Sequence, residues 1–177
     1  MRTNFFILIL VFYASSIALN AQQVPATTGS RVLQKDAQQA LDFHNKVRAD
    51  VGVTALQWSE ELAAYAQAWA DHLAVNCKLE HRPNTGQWTQ KHGENIFWGE
   101  GEDYSPLQAS ESWYSEIKDY KYGTLNGNNW YKTGHYTQMV WKNTTHVGIG
   151  VARCKSGAIL MVANYAPSGN YLGERPY

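Results

Sequence analysis

The sequence predicts an α+β fold: one domain in which helices come first and an antiparallel pair of strands comes last. Apolar residues recur at helical spacing in three segments between residues 36 and 119. Two β-rich runs, HVGIGVARC at 146–154 and AILMVANYA at 158–166, are separated only by Lys155, Ser156 and Gly157, which reads as a hairpin with glycine in the turn. No P-loop or dinucleotide-binding glycine pattern is present, so helices segregated from the sheet fit better than a doubly wound parallel sheet.

Each element has its own local reason. The first residues, MRTNFFILILVFYASSIALNA, carry Arg2, an apolar run from Phe5 to Leu19 and small residues including Ala18 and Ala21. They read as a secretory signal over 1–21, because about 15 apolar residues fall short of the ~20 that cross a bilayer. Residues 22–34 open with QQVPATTGS, which has no hydrophobic period and contains Pro and Gly, and read as a linker before a domain over 35–177. From Asp36 to Ala49, Ala37, Leu41, the ring of His44 and Val47 share one helical face, and Gly52 follows as a stop. Ser59 caps a second helix whose first-turn acids, Glu60 and Glu61, suit the positive end of its dipole. Its stripe of Leu62, Tyr65, Ala66, Trp69 and Leu73 reaches about Val75 and reads as core. Ser105 followed by Pro106 starts a third helix that runs to about Asp119, with Trp113 and Glu116 on neighbouring points of its surface. ENIFWG, 94–99, is a candidate third strand.

With 177 residues, 44% hydrophobic and 17% charged, the chain suits one domain with a sizeable core. The formal charge is zero and Lys and Arg form no run, which argues against a nucleic-acid partner. Export bears on the two cysteines, Cys77 and Cys154, since an oxidising compartment lets the one available pair persist as a disulfide, the alternative being two buried thiols. Closing so long a loop is worth roughly 4 kcal/mol as an upper figure.

Chemistry is not visible in any single motif. The six histidines, His44, His72, His81, His92, His135 and His146, form no HExxH pattern, and no nucleophile elbow of GxSxG type is present. Four segments taken together say more: CKLEHR at 77–82, GENIF at 93–97, SWYSE at 112–116 and GHYTQMVW at 134–141. Together with HNKVR at 44–48, LQW at 56–58, ANYAPSGNYLG at 163–173 and the final RPY, their order and spacing resemble the CAP superfamily, that of cysteine-rich secretory proteins, antigen five and pathogenesis-related class 1 proteins. The likeness covers about residues 36–177 and is closest to the single-domain, pathogenesis-related class 1 type.

That resemblance implies a three-layer α-β-α sandwich with a central, mainly antiparallel sheet, and a surface cleft where His81, Glu94, Glu116 and His135 converge. Two imidazoles, each with its other ring nitrogen held by a carboxylate, could take Zn²⁺ or another divalent cation weakly, with water completing the sphere. A metal-free alternative is two charge-assisted His–Glu hydrogen bonds that hold the cleft together. Some relatives bind sterols or other lipids through an aromatic-rich loop, and here Tyr120, Tyr122, Trp130 and Tyr131 lie among Gly and Asn; the same rings could equally cover the core. The expectation is a secreted, non-enzymatic binding protein with no assigned catalytic residue, touching membranes only through a lipid ligand. A metal-dependent hydrolase or peptidase using the same cleft, and a defence protein acting on a protein partner, are the competitors. Plant relatives usually carry three disulfides; Cys77 and Cys154 match one pair, and Ile149 and Ala163 stand where another is expected. Arg82 stands where serine is common in the family, which could alter access or lower the affinity of a cation for His81. The last eleven residues, PSGNYLGERPY, resemble a segment that some plant relatives release as a signalling peptide.

Overall fold

A computed structural model describes residues 22–177; the secretory signal expected over 1–21 lies outside the described residues. The elements in chain order are α1 (Gln34–Asp50), β1 (Gln57–Trp58), α2 (Glu60–Asn76), β2 (Gly93–Gly99), α3 (Pro106–Tyr114) with a 3₁₀ continuation (Ser115–Asp119), α4 (Trp130–Met139), β3 (His146–Arg153) and β4 (Ile159–Ala166). The strands form one sheet in the order β1-β3-β4-β2, antiparallel except where the short β1 pairs with β3.

Alternation along β4 produces the layers. Ile159, Met161, Ala163 and Tyr165 are buried with α1, α3 and α4 residues such as Leu41, Trp113 and Met139, while Leu160 and Val162 are buried with Ala66, Trp69, Ala70 and Leu73 of α2. This is the α-β-α sandwich anticipated from the sequence. In β3, the alternation is apolar against glycine: Val147 and Ile149 enter the first core, and Gly148 and Gly150 lie where α2 presses onto the strand. A Cβ at Gly148 would collide with the backbone of Leu62 and Ala63, and one at Gly150 with that of Ala66 and Gln67. The glycines thus set how closely helix and sheet approach. Ile149 and Ala163, the apolar pair in place of an expected bridge, are cross-strand partners and fully buried. Cys77, at the C-cap of α2, is disulfide-bonded to Cys154 just beyond β3, with Cα atoms 5.4 Å apart.

The caps follow the sequence. Ser59 accepts from the Leu62 N–H, and Ser105 forms a full capping box with Gln108 ahead of Pro106. Three expectations are corrected. Residues 22–33 are no loose linker: Val24, Thr28 and Val32 are buried, the Thr28 carbonyl accepts from Trp58 Nε1 at 2.9 Å, and Ser30 Oγ donates to the Ile149 carbonyl at 2.7 Å. Isolated apolar residues without a period can still fill gaps in a surface, which no periodicity shows. The third helix is α-helical only to Tyr114 and tightens to 3₁₀ over Ser115–Asp119, the turn that carries Glu116. Finally, Trp130–Met139 is a helix and not part of a loop.

Candidate functional site

The cleft straddles β2, the strand at one edge of the sheet. Glu94 and Asn95 are consecutive on that strand and therefore point to opposite faces, Glu94 to the α2 side shared with Ile96, Asn95 to the α4 side. His81, from the segment after α2, meets Glu94 with Nδ1 2.9 Å from Oε1. On the other side His135, midway along α4, has Nδ1 2.7 Å from Glu116 Oε1. Both histidines line a cavity of about 210 Å³ together with Glu94, Asn95, Trp130 and Asn170. Glu116 stands behind His135 and does not line it.

Each carboxylate fixes its ring. An oxygen facing Nδ1 can only accept, so Nδ1 carries the hydrogen, and in the neutral ring it is Nε2 that holds the lone pair. The Glu116 Oε2 accepts from the backbone N–H groups of His135 (2.8 Å) and Tyr136 (3.1 Å), pinning the 3₁₀ turn to α4. Glu94 has no exposed side-chain surface and accepts further from the Arg82 N–H (3.1 Å) and Asn164 Nδ2 (3.4 Å). Behind His135 runs a buried chain. Asn95 Nδ2 donates to the His135 carbonyl (3.0 Å) and to the Tyr165 hydroxyl (3.2 Å), and that hydroxyl donates to His44 Nε2 (2.9 Å), because His44 Nδ1–H is committed to the Ala40 carbonyl (2.8 Å). Burial lowers the His44 pKa from 6.5 to about 4, and burial also raises that of Tyr165.

Arg82, expected from the sequence to bear on access or cation affinity at His81, has a defined place in the fold. It is buried, its guanidinium centred 3.7 Å from the Tyr65 ring and 5.1 and 5.3 Å from those of Trp69 and Trp88, with Nη2 donating to the Tyr65 carbonyl at 2.6 Å. Its Nε lies 3.7 Å from Glu94 Oε2. Burial lowers its pKa, the neighbouring Tyr65 and Glu94 opposing that shift. Asn95 and Asn170 were missed as site residues; the only signal for Asn95 was its place inside GENIF. Asn170, with φ of 60°, donates to the Gly134 carbonyl and accepts from Thr137 Oγ1, both at 2.7 Å, so the segment after β4 forms a wall of the cleft.

The four aromatic residues expected to form a ligand loop fall into two pairs with different contacts. Trp130 and Tyr131 occupy the first turn of α4 at the cleft, 49% and 62% exposed. Tyr120 packs against Tyr136 and Tyr177, and Tyr122 against Tyr177 and Arg175. Residues 120–129 form no helix or strand, and α4 begins at Trp130.

The donor set suits a divalent ion in kind: two imidazole nitrogens backed by carboxylates. Among the described residues no group of three or more His, Cys, Asp or Glu is placed to hold a metal, so a bound ion would rely on water for the rest of its sphere.

Comparison with known proteins agrees with the fold. The model of the CAP family, the cysteine-rich secretory protein family, matches residues 41–165. Pathogenesis-related protein 1C of Nicotiana tabacum is 40% identical over 144 residues, 81% of this chain and 82% of that protein. Pathogenesis-related protein 1 of Arabidopsis thaliana is 40% identical over 158 residues, 86% of this chain and 91% of that protein. Among solved structures, that of NaASP2 with Zn²⁺ superposes with a TM-score of 0.70 at 27% identity, covering 81% of this chain and 85% of that one. With a family match across most of its length and relatives this similar, the chain belongs to the CAP family, alongside the plant pathogenesis-related class 1 proteins.

Proposed function

We propose that this protein is an exported, non-enzymatic binding protein of the pathogenesis-related type whose cleft takes a divalent cation, with zinc as the test ion, between the Nε2 atoms of His81 and His135. One observation carries the reading: in both histidines Nδ1 is tied to a carboxylate, at 2.9 and 2.7 Å, which leaves the remaining nitrogen of each as a ligand in one cavity. The crystallisation of the related NaASP2 with Zn²⁺ supports it. Two protein ligands make a weak, exchangeable site. The disulfide joining Cys77 and Cys154 supports export.

Binding is favoured over metal-dependent hydrolysis because both carboxylates are already engaged, Glu116 by an imidazole and two backbone N–H groups, Glu94 by an imidazole, a backbone N–H and Asn164. Neither is left free as general base for a bound water. Zinc calorimetry tests the proposal: heat from the wild-type protein should vanish in the His81→Ala, His135→Ala double variant, and equal heats from both would overturn it.

A second reading, a sterol or other lipid ligand, is favoured by the exposed Trp130 and Tyr131 rings at the cleft rim. Such binding should survive His81→Ala and be lost in Trp130→Ala, Tyr131→Ala. A protein that acts through a protein partner elsewhere on its surface would be indifferent to both sets.

A further inference from the structure

We infer that the two His–Glu pairs hold a divalent cation unequally: His135 with Glu116 is the primary anchor, and Arg82 makes His81 the weaker, second ligand. The inference rests on the cation reading above. In local geometry the pairs are nearly alike, with Nδ1 to carboxylate distances of 2.9 and 2.7 Å. Their surroundings differ. Among the described residues, His135 is the only basic side chain within 4.0 Å of the Glu116 carboxylate. Glu94 is shared between His81 and the Arg82 guanidinium, whose Nε is 3.7 Å away.

Arg82 is buried and held in this position. Three aromatic rings, Tyr65, Trp69 and Trp88, surround its guanidinium, and the Tyr65 carbonyl holds Nη2 at 2.6 Å. A carboxylate behind a ligating imidazole raises its basicity and draws a cation by its charge. On the His81 side a fixed positive charge in a buried wall cancels that charge, and solvent screens it weakly. On the His135 side, among the described residues, two backbone N–H groups meet the Glu116 carboxylate but no permanently charged side chain lies within 4.0 Å of it. Exposure points the same way, since 53% of the His81 side chain is open to water against 36% for His135, so ordering His81 around an ion costs more freedom.

Zinc titrated into the disulfide-bonded protein, followed by NMR of the histidine rings and by calorimetry, tests this. His135 signals should respond at lower zinc than those of His81. His135→Ala should weaken binding by about tenfold or more, at least what loss of the carboxylate behind a ligand costs, and His81→Ala by about threefold. Glu116→Gln should approach the His135→Ala loss, and Arg82→Gln should bring the two histidine responses together. Both histidines are partly exposed, so their single variants decide the order even where Arg82→Gln does not fold. Equal losses, or a larger loss at His81, would overturn the inequality and leave the cation site standing; no zinc binding by the wild type would overturn both.

Discussion

The Arg48 guanidinium of α1 donates to the Met139 carbonyl at 2.8 Å, holding the last turn of the helix that carries His135. The same group donates to the carbonyls of Trp141 and Thr144, and its Nε to that of Thr54. Arg48 is fully buried, and no carboxylate lies within ion-pair distance of it among the described residues. Its charge is met by these four carbonyls, that of Met139 at the negative end of α4, and burial lowers its pKa to about 10. Arg48→Met should destabilise the fold by about 3 kcal/mol or more, measured by urea unfolding, because several buried carbonyls lose their donor together. Loss of zinc binding should accompany it, since α4 is no longer fixed at that end.

His44 gives the stability a defined pH dependence. Its pKa falls from 6.5 in the unfolded chain to about 4 in the fold. Above pH 6.5 both states are neutral and the group is without effect; as pH falls toward about 4 the unfolded chain takes up a proton that the folded state refuses. Over that window the fold should lose about 3 kcal/mol to this one group. Urea midpoints measured across the window should slope for the wild type and flatten in His44→Gln.

The glycines of β3 predict a sharp positional contrast. Gly148→Ala forces a Cβ against the α2 backbone at Leu62 and Ala63, where no side chain can move aside. A destabilisation of about 2–3 kcal/mol is expected from such overpacking. Gly127→Ala meets nothing within 4 Å and should stay within about 0.5 kcal/mol of the wild type. Thermal and urea unfolding of the pair check this.

Asn170 links the terminal segment to the cleft. Asn170→Ala removes two hydrogen bonds to α4 and puts a residue with a Cβ at φ 60°, so a loss of about 2 kcal/mol and weaker zinc binding are expected. Asn170→Gly relieves the backbone cost alone and should recover part of the stability without restoring zinc affinity. Chain cleavage after Ala166 should abolish zinc binding outright, because it removes this wall.

Patterns read over a few neighbouring residues were enough for α1, α2, α3 and the β3–β4 hairpin, since caps, helical stripes and alternation act locally. Motif order was enough to single out His81, Glu94, Glu116 and His135. Trp130–Met139 escaped because Gly134, Thr133 and aromatic residues are poor helix formers, and burial of Tyr136 and Met139 in the core outweighs that preference. The packed segment 22–33 escaped for a similar reason: Val24 and Val32 have meaning only against α1 and β3. Arrangement in space settled the rest. Only folding around the edge strand β2 brings His81 and His135 into one cavity from opposite faces of the sheet, and only there does Arg82 come to lie beside Glu94, making two pairs of identical composition electrostatically different.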